Sequence, residues 1–432
     1  MNSRSRREFL EDVGRGMLVA SLGSAAALEL GIAPCIAEEP SRRLTFGQLE
    51  PLVSLLQETP PKKLLPLLVP KLKSGMTLGA LVSAAALANA RAFGGQDYTG
   101  YHTFMALMPA YRMASELPAE RQALPVLKVL YRNSSRIQEQ HADQHDTLHP
   151  IDAVAAVDPE HGGEKLRDAV RAIDRDGAES QFAAIAQGHA KEAFNQLQYA
   201  IQDETNVHRV VLAWRAWAML ELSGEQYANT LLRQSVRFCV DSEQGLRDHH
   251  QAPSSVREEL PRLLDQYHLL SKPLGDRKAE DGWVEHLAQT IFGGTRAQAA
   301  GAAAAALAEG FDPEAVGEAI SLAANLLVLH DPGRLPQNST PQKPAGCVHG
   351  DSAGVHASDA ANAWRNIARV SNPRNTVASL IVGAYHTAGQ SNRANKDLFP
   401  YSQLLADSNA ADAETLLAQA DEAIRGNDQV RA

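Results

Sequence analysis

Histidine is the side chain in this sequence whose type and placement could most readily do chemistry. The chain has 15 histidines, and several lie in apolar stretches: His102 in GYHTFMAL, His208 in NVHRVVLAWRAWAM and His386 in VGAYHTAGQ. A neutral imidazole exchanges protons near neutral pH and also binds transition metals. Each of these histidines could therefore contribute to a site, or could be a hydrogen-bonded residue of the core.

A second group of polar side chains is concentrated in CVHGDSAGVHASDAANAWR, near the carboxyl end of the chain. This group comprises Cys347, His349, Asp351, His356, Asp359, Asn362 and Arg365. We expect the start of a helix to deliver these groups into a cleft, with the preceding loop able to close over them. A capping network around Ser352 or Asp351 that catalyses nothing is the alternative.

Imidazoles from three or four helices that meet in a bundle would suit Zn, Fe or Cu. The predicted metal ligands are His102, His208, His356 and His386. The same groups without a metal could serve as general acids and bases. The predicted catalytic residues are His102, His208, His356 and Arg365, and the predicted cofactor contacts are Trp214 and Asn362. The identity of the cofactor stays open.

The pair His145 and His149, in QHDTLHP, has the spacing of two residues on one helical face. Both imidazoles could reach one metal ion, but the sequence lacks the Glu of the His-Glu-x-x-His zinc motif. Pro150 follows directly and the surroundings are polar. A solvated helix end or turn is the favoured interpretation.

The elements that must position these residues are helices. Apolar residues recur at helical spacing, Ala and Leu dominate, and alternating strand-like runs are scarce. We predict an all-α fold, a multi-helix bundle of helical hairpins. Local signals predict a helix over Thr77–Phe93 that Gly94 ends, and a capping box formed by Thr295 and Gln298.

The chain divides into an amino-terminal signal segment and two helical regions. We place the signal at 1–37, the first helical region at 38–275 and the second at 276–432, and we expect the two regions to pack as one globular unit. The motif GYHT of the first region is echoed by AYHT in the second, so two similar halves are one option. The Pro- and Gly-rich loop at 331–354 is long enough to act as a lid.

The hexapeptide SRREFL, from Ser5 to Leu10, precedes a mildly apolar stretch and then small residues. This pattern looks like a twin-arginine export signal cleaved after Ala37, and an ordinary amphipathic first helix is the alternative. The resemblance implies the twin-arginine export machinery as a partner, a periplasmic or extracellular location, and a protein that folds before export. Beyond the signal, no apolar run is long enough for a stable membrane span.

Composition narrows the range of partners. The formal net charge of −10 and the absence of a basic stripe disfavour nucleic acid, because phosphate binding requires a basic face. No Cys-x-x-Cys-His sequence is present, which disfavours covalently attached c-type haem. Cys239 and Cys347, the cysteines left after signal removal, could pair or stay free.

Three motifs, YHTFMAL, VHRVVLAWRAWAML and VHASDAANAWR, together with the export signal make the chain look like a group of bacterial twin-arginine-signal proteins of uncharacterised activity. That resemblance implies functional roles for His102, His208 and His356, with Asn362 and Arg365. A second similarity, carried by VHRVVLAWRAWAMLE, is to questin oxidase-like proteins, which are helical Baeyer–Villiger-type oxygenases.

Together these observations predict an exported oxidoreductase or oxygenase that acts at a histidine site on a small molecule, which could be aromatic. Two alternatives stay open: a non-enzymatic helical binding or assembly module, and a metal-dependent hydrolase. Whether the chain is an enzyme at all is therefore an open point of the prediction.

Overall fold

The computed structural model describes residues 43–140, 148–154, 161–341, 343–347, 352–395, 406 and 412–428. Within these residues the chain forms seventeen α-helices and no β-sheet, which confirms the all-α prediction. The export signal at 1–37 lies outside the described residues, as do His145, His349 and Asp351.

Eleven helices precede residue 275. They are α1 Glu50–Glu58, α2 Pro61–Lys73, α3 Leu78–Phe93, α4 Tyr98–Ser115, α5 Ala123–Glu139, α6 Gly162–Arg171, α7 Arg175–Ile185, α8 Ala190–Ile201, α9 Val207–Ser223, α10 Ala228–Asp248 and α11 Val256–Gln266. The described part of the chain after residue 275 adds α12 Asp281–Gly293, α13 Arg296–Ala308, α14 Pro313–Leu329, α15 Ala353–Val370, α16 Pro373–Ala388 and α17 Ala413–Arg425.

The helix boundaries follow local sequence signals. The Thr77 side chain accepts a hydrogen bond from the backbone N–H of Ala80 at the start of α3, and Gly94 ends that helix with a left-handed φ of 57°. The capping box of Thr295 and Gln298 is present at the start of α13. These side chains satisfy backbone groups that a helix end leaves without partners, so the predicted boundaries here are confirmed.

Helix α9 lies at the centre of the packing. It contacts α10, α3 and α4 of the first region and α15 of the second. Helices α12 to α16 pack against one another, and α11 packs against α13 and α16. A single cluster of buried apolar side chains includes residues from both sides of residue 275. The two regions therefore share one core, and α9 and α15 form a seam between them.

The loop between α14 and α15 is held at its two ends by Asp331. Its carboxylate accepts hydrogen bonds from the backbone N–H groups of Gly333, at 2.8 Å, and Gly354, at 3.1 Å. Cys347 in this loop and Cys239 in α10 are both buried and unpaired in the structure. Across the described helices, none combines the length and the apolarity that crossing a membrane would require.

Candidate functional site

The structure brings together three of the predicted histidines, His102, His208 and His356, which we call the histidine cluster. The imidazole ring centroids of His102 and His208 are 4.8 Å apart, and those of His208 and His356 are 5.9 Å apart. All three residues are partly buried. They come from α4, α9 and α15, and the central helix α9 packs against the other two.

Each histidine of the cluster lies near the amino-terminal end of its helix, and a capping side chain holds each helix start in place. Asp97 accepts a hydrogen bond from Gly100 N–H at the start of α4, Asn206 accepts from His208 N–H in α9, and Ser352 accepts from Val355 N–H in α15. Because the amino-terminal ends of helix dipoles are positive, negative charge is favoured where these three ends meet.

The hydrogen bonding of His102 determines its tautomer. Its Nδ1 lies 2.6 Å from the backbone carbonyl oxygen of Tyr98. A carbonyl oxygen can only accept a hydrogen bond, so Nδ1 carries the proton and donates it. In the neutral ring the lone pair is therefore on Nε2, which gives His102 the form of a general base with a fixed ring orientation.

Tyrosines surround the cluster on the α4 side. The ring centroids of Tyr98 and Tyr101 lie 4.3 and 4.8 Å from that of His102, and Tyr101 lies 5.4 Å from His208. Burial, with smaller contributions from Tyr98 and Asp97, raises the pKa of Tyr101 to about 12. The Tyr101 hydroxyl therefore stays protonated at neutral pH and can donate a hydrogen bond.

Neither tyrosine was among the predicted site residues. A usable signal was present, because Tyr98 precedes His102 by one helical turn and Tyr101 is its immediate neighbour. Aromatic residues at helical spacing are common in cores, however, and the sequence does not show which surface they face.

His386 lies beside the cluster but in a different environment. It is buried, and its Nδ1 accepts a hydrogen bond from Trp364 Nε1–H at 3.3 Å. Burial, and then the charges of Arg296 and His356, lowers the pKa of His386 to about 4. The neutral ring therefore carries its proton on Nε2 and uses its Nδ1 lone pair for Trp364. This arrangement leaves no lone pair for the metal ion that His386 was predicted to bind.

A metal centre needs several ligand side chains that are directed toward one point. In the part of the chain that the structure describes, no group of three or more His, Cys, Asp or Glu side chains is arranged to hold a metal ion. The described residues, in this arrangement, do not fit the predicted Fe, Zn or Cu centre. The chemistry that the cluster itself supports is proton transfer among imidazole and phenol groups.

Three other predicted site residues are not brought to the cluster. Arg365 follows His356 by nine residues in α15, which at 100° per residue places it on the opposite face, where it donates to Glu314 Oε1 at 2.8 Å. Asn362 is exposed, and Trp214 is buried in the core, six residues beyond His208. Helical spacing explains all three separations, since neither six nor nine residues completes whole turns.

A cleft of about 490 Å³ adjoins the start of α9. Its lining includes Thr205 and Asn206, which directly precede the first turn of α9, and Arg296, whose charge acts on His386. A space of this size is large enough for a small molecule. The cleft has polar walls and reaches the residues that precede α9, but its lining includes neither the three histidines of the cluster nor the two tyrosines.

Comparisons with protein-family models, with curated proteins and with solved structures found no match to this chain.

Proposed function

We propose that the chain is an exported enzyme whose histidine cluster transfers protons to and from a small molecule, which could be aromatic. The observation that supports this proposal is that His208 lies between His102 and His356, all three partly buried at the starts of their helices, with two tyrosines beside His102. The resemblance of the α9 sequence to questin oxidase-like proteins adds oxidation as the reaction class. An oxidation also needs an electron acceptor, and the protein would have to bind this acceptor as well as the small molecule.

In the proposed reaction His102 is the general base, because its neutral ring has the lone pair on Nε2. His208 lies between His102 and His356, so it can pass a proton along the cluster. Tyr101 keeps its hydroxyl proton and can stabilise a developing oxyanion by donating a hydrogen bond. The positive ends of three helices favour the same negative charge.

Export is a separate part of the proposal. The sequence SRREFL supports delivery by the twin-arginine machinery to the periplasm or the outside of the cell. Replacing both Arg6 and Arg7 by Lys in the full chain should leave the protein in the cytoplasm. Fractionation of cells that express both forms measures this, and an unchanged distribution would contradict the route.

The cluster is tested by binding of a phenol-bearing probe, 4-hydroxycinnamate, to the purified protein by calorimetry. We expect His208→Gln to abolish binding and the exposed His286→Gln, a matched control on α12, to leave it unchanged. Equal binding by both variants and the unaltered protein would overturn the proposal. Binding without turnover of any phenol in the presence of an oxidant would favour the non-enzymatic binding module instead.

A metal centre is tested separately. Elemental analysis of protein exported with its own signal measures Zn, Fe and Cu per chain. A metal that is stoichiometric and is lost in His102→Gln and His208→Gln would replace metal-free proton transfer with a metal-based site. A content well below one metal ion per chain supports the proposal as stated.

A further inference from the structure

Helix α9 is buried along most of its surface, and three partly buried side chains follow one another along one of its faces. These are His208, Arg215 and Leu222, which follow one another at intervals of seven residues, and the buried Val211 and Ala218 lie between them on the same face. Helices α4 and α15 pack against α9 on either side. The three side chains therefore lie in a line between α4 and α15, which we call the groove, and this line begins at the histidine cluster and runs toward the carboxyl end of α9.

Arg215 is the charged residue in the groove, and its hydrogen bonding is incomplete. Its Nε is buried and, among the described residues, has no hydrogen-bond partner. Burial lowers the pKa of Arg215, while Asp359 on α15 favours the charged form and Arg112 on α4 opposes it. A desolvated guanidinium without full pairing is costly, and such groups are concentrated at binding sites.

We infer that Arg215 binds the anionic group of the substrate, a carboxylate, while the other end of the molecule reaches the histidine cluster. This inference rests on the proposed function and names the substrate class, an elongated aryl carboxylate. Arg215 follows His208 by seven residues, so the two lie on one face, roughly 10 Å apart along α9. The planar guanidinium matches a carboxylate and can bind it through two parallel hydrogen bonds.

The charges around the groove favour a carboxylate over a more highly charged group. Arg112 adds positive charge near Arg215, whereas Asp359 adds one negative charge. A single negative charge is attracted by both arginines, whereas a dianion such as a phosphate ester would be repelled more strongly by Asp359. The tyrosines beside His102 provide aromatic surface at the other end of the groove.

The test compares 4-hydroxycinnamate with its uncharged primary amide, titrated by calorimetry into the full chain. We expect the acid to bind more tightly than the amide by about tenfold to a hundredfold, the usual range for a charge-assisted hydrogen bond. Arg215→Gln should reduce the affinity for the acid to that for the amide and leave the amide unchanged. Arg215→Lys should retain part of the preference, and the exposed Arg132→Gln on α5 is the matched control.

The variants also separate this inference from the proposed function. If His208→Gln abolishes binding of both probes while Arg215→Gln keeps the preference for the acid, the assignment of Arg215 is wrong and the cluster stands. If neither probe binds, or if His208→Gln changes nothing, the site itself is wrong and the inference fails with it. If Arg215→Gln loses the preference for the acid and the control Arg132→Gln keeps it, the result supports both the assignment of Arg215 and the proposed function.

Discussion

Arg209 and Arg215 lie on the same helix, α9, and differ in how their charges are satisfied. Arg209 is fully buried, donates to Glu243 at 3.1 Å and to the carbonyl oxygen of Ala200 at 3.0 and 2.6 Å. Arg257 completes this arrangement with hydrogen bonds to both oxygens of Glu243. Arg215 has a buried Nε with no partner among the described residues.

The contrast shows which buried charges belong to the architecture and which remain available to a ligand. A buried ion pair with complete hydrogen bonding holds helices in register, whereas an incompletely paired one has capacity left for a bound group. The histidine cluster lies on the side of α9 where Arg215 lies. The predictions for Arg209 and Arg215 test whether the two sides of α9 differ in this way, and the prediction for His386 tests whether this residue is separate from the cluster.

The largest effect on stability is expected at Arg209, whose hydrogen bonds are complete. Arg209→Met leaves Glu243 with one of its two arginines and removes the donors to Ala200, so the free energy of unfolding should fall by about 3–5 kcal/mol. Urea denaturation measures this change. The exposed Arg132→Met should change stability by less than about 0.5 kcal/mol. If Arg209→Met reduced the free energy of unfolding equally little, the hydrogen bonds of Arg209 to Glu243 and Ala200 would not stabilise the fold.

A smaller effect, visible only on acidification, is expected at His386. Its folded pKa is about 4 against an ordinary value of 6.5, so the unfolded chain binds the additional proton between these values. The stabilisation from the neutral ring is complete above about pH 6.5 and is lost as the pH falls toward 4. Between pH 7 and pH 5 this histidine alone should cost about 2 kcal/mol of unfolding free energy.

The comparison that isolates His386 is His386→Gln, because Gln retains an acceptor for Trp364 Nε1–H and does not titrate. Denaturation of both proteins at pH 7 and pH 5 should show a smaller loss in the variant. Identical pH dependence would mean that His386 has the same pKa in the folded and the unfolded chain, which would contradict its description as a buried neutral ring.

The fold was predictable from sequence because its signals are local. Capping residues such as Thr77 and Thr295 act within one helical turn, and the period of the apolar residues indicates helices throughout. The placement of His102, His208 and His356 near helix starts could be read in the same way. That α4, α9 and α15 bring these starts together depends on tertiary packing, which spacing does not encode.

The other predicted site residues show what a local pattern leaves out. Asn362 and Arg365 are close to His356 in sequence, but helical geometry turns them to other faces, and Arg365 joins Glu314 instead. His386 was predicted as a metal ligand, but the donor that occupies its Nδ1 comes from Trp364, on the preceding helix. Arg215 was not among the predicted site residues, because incomplete pairing of a buried group is visible only in three dimensions.

The smallest predicted effect is an increase in stability. Arg215→Met replaces a desolvated and incompletely paired charge with an apolar side chain of similar length, which should raise the free energy of unfolding by about 1 kcal/mol. Arg209→Met, the same substitution six residues earlier on α9, should have the opposite sign. Urea denaturation of the two variants side by side measures both. If Arg215→Met also destabilised the protein by several kcal/mol, Arg215 would be a structural residue like Arg209, and the groove would lose the group that we assign to substrate binding.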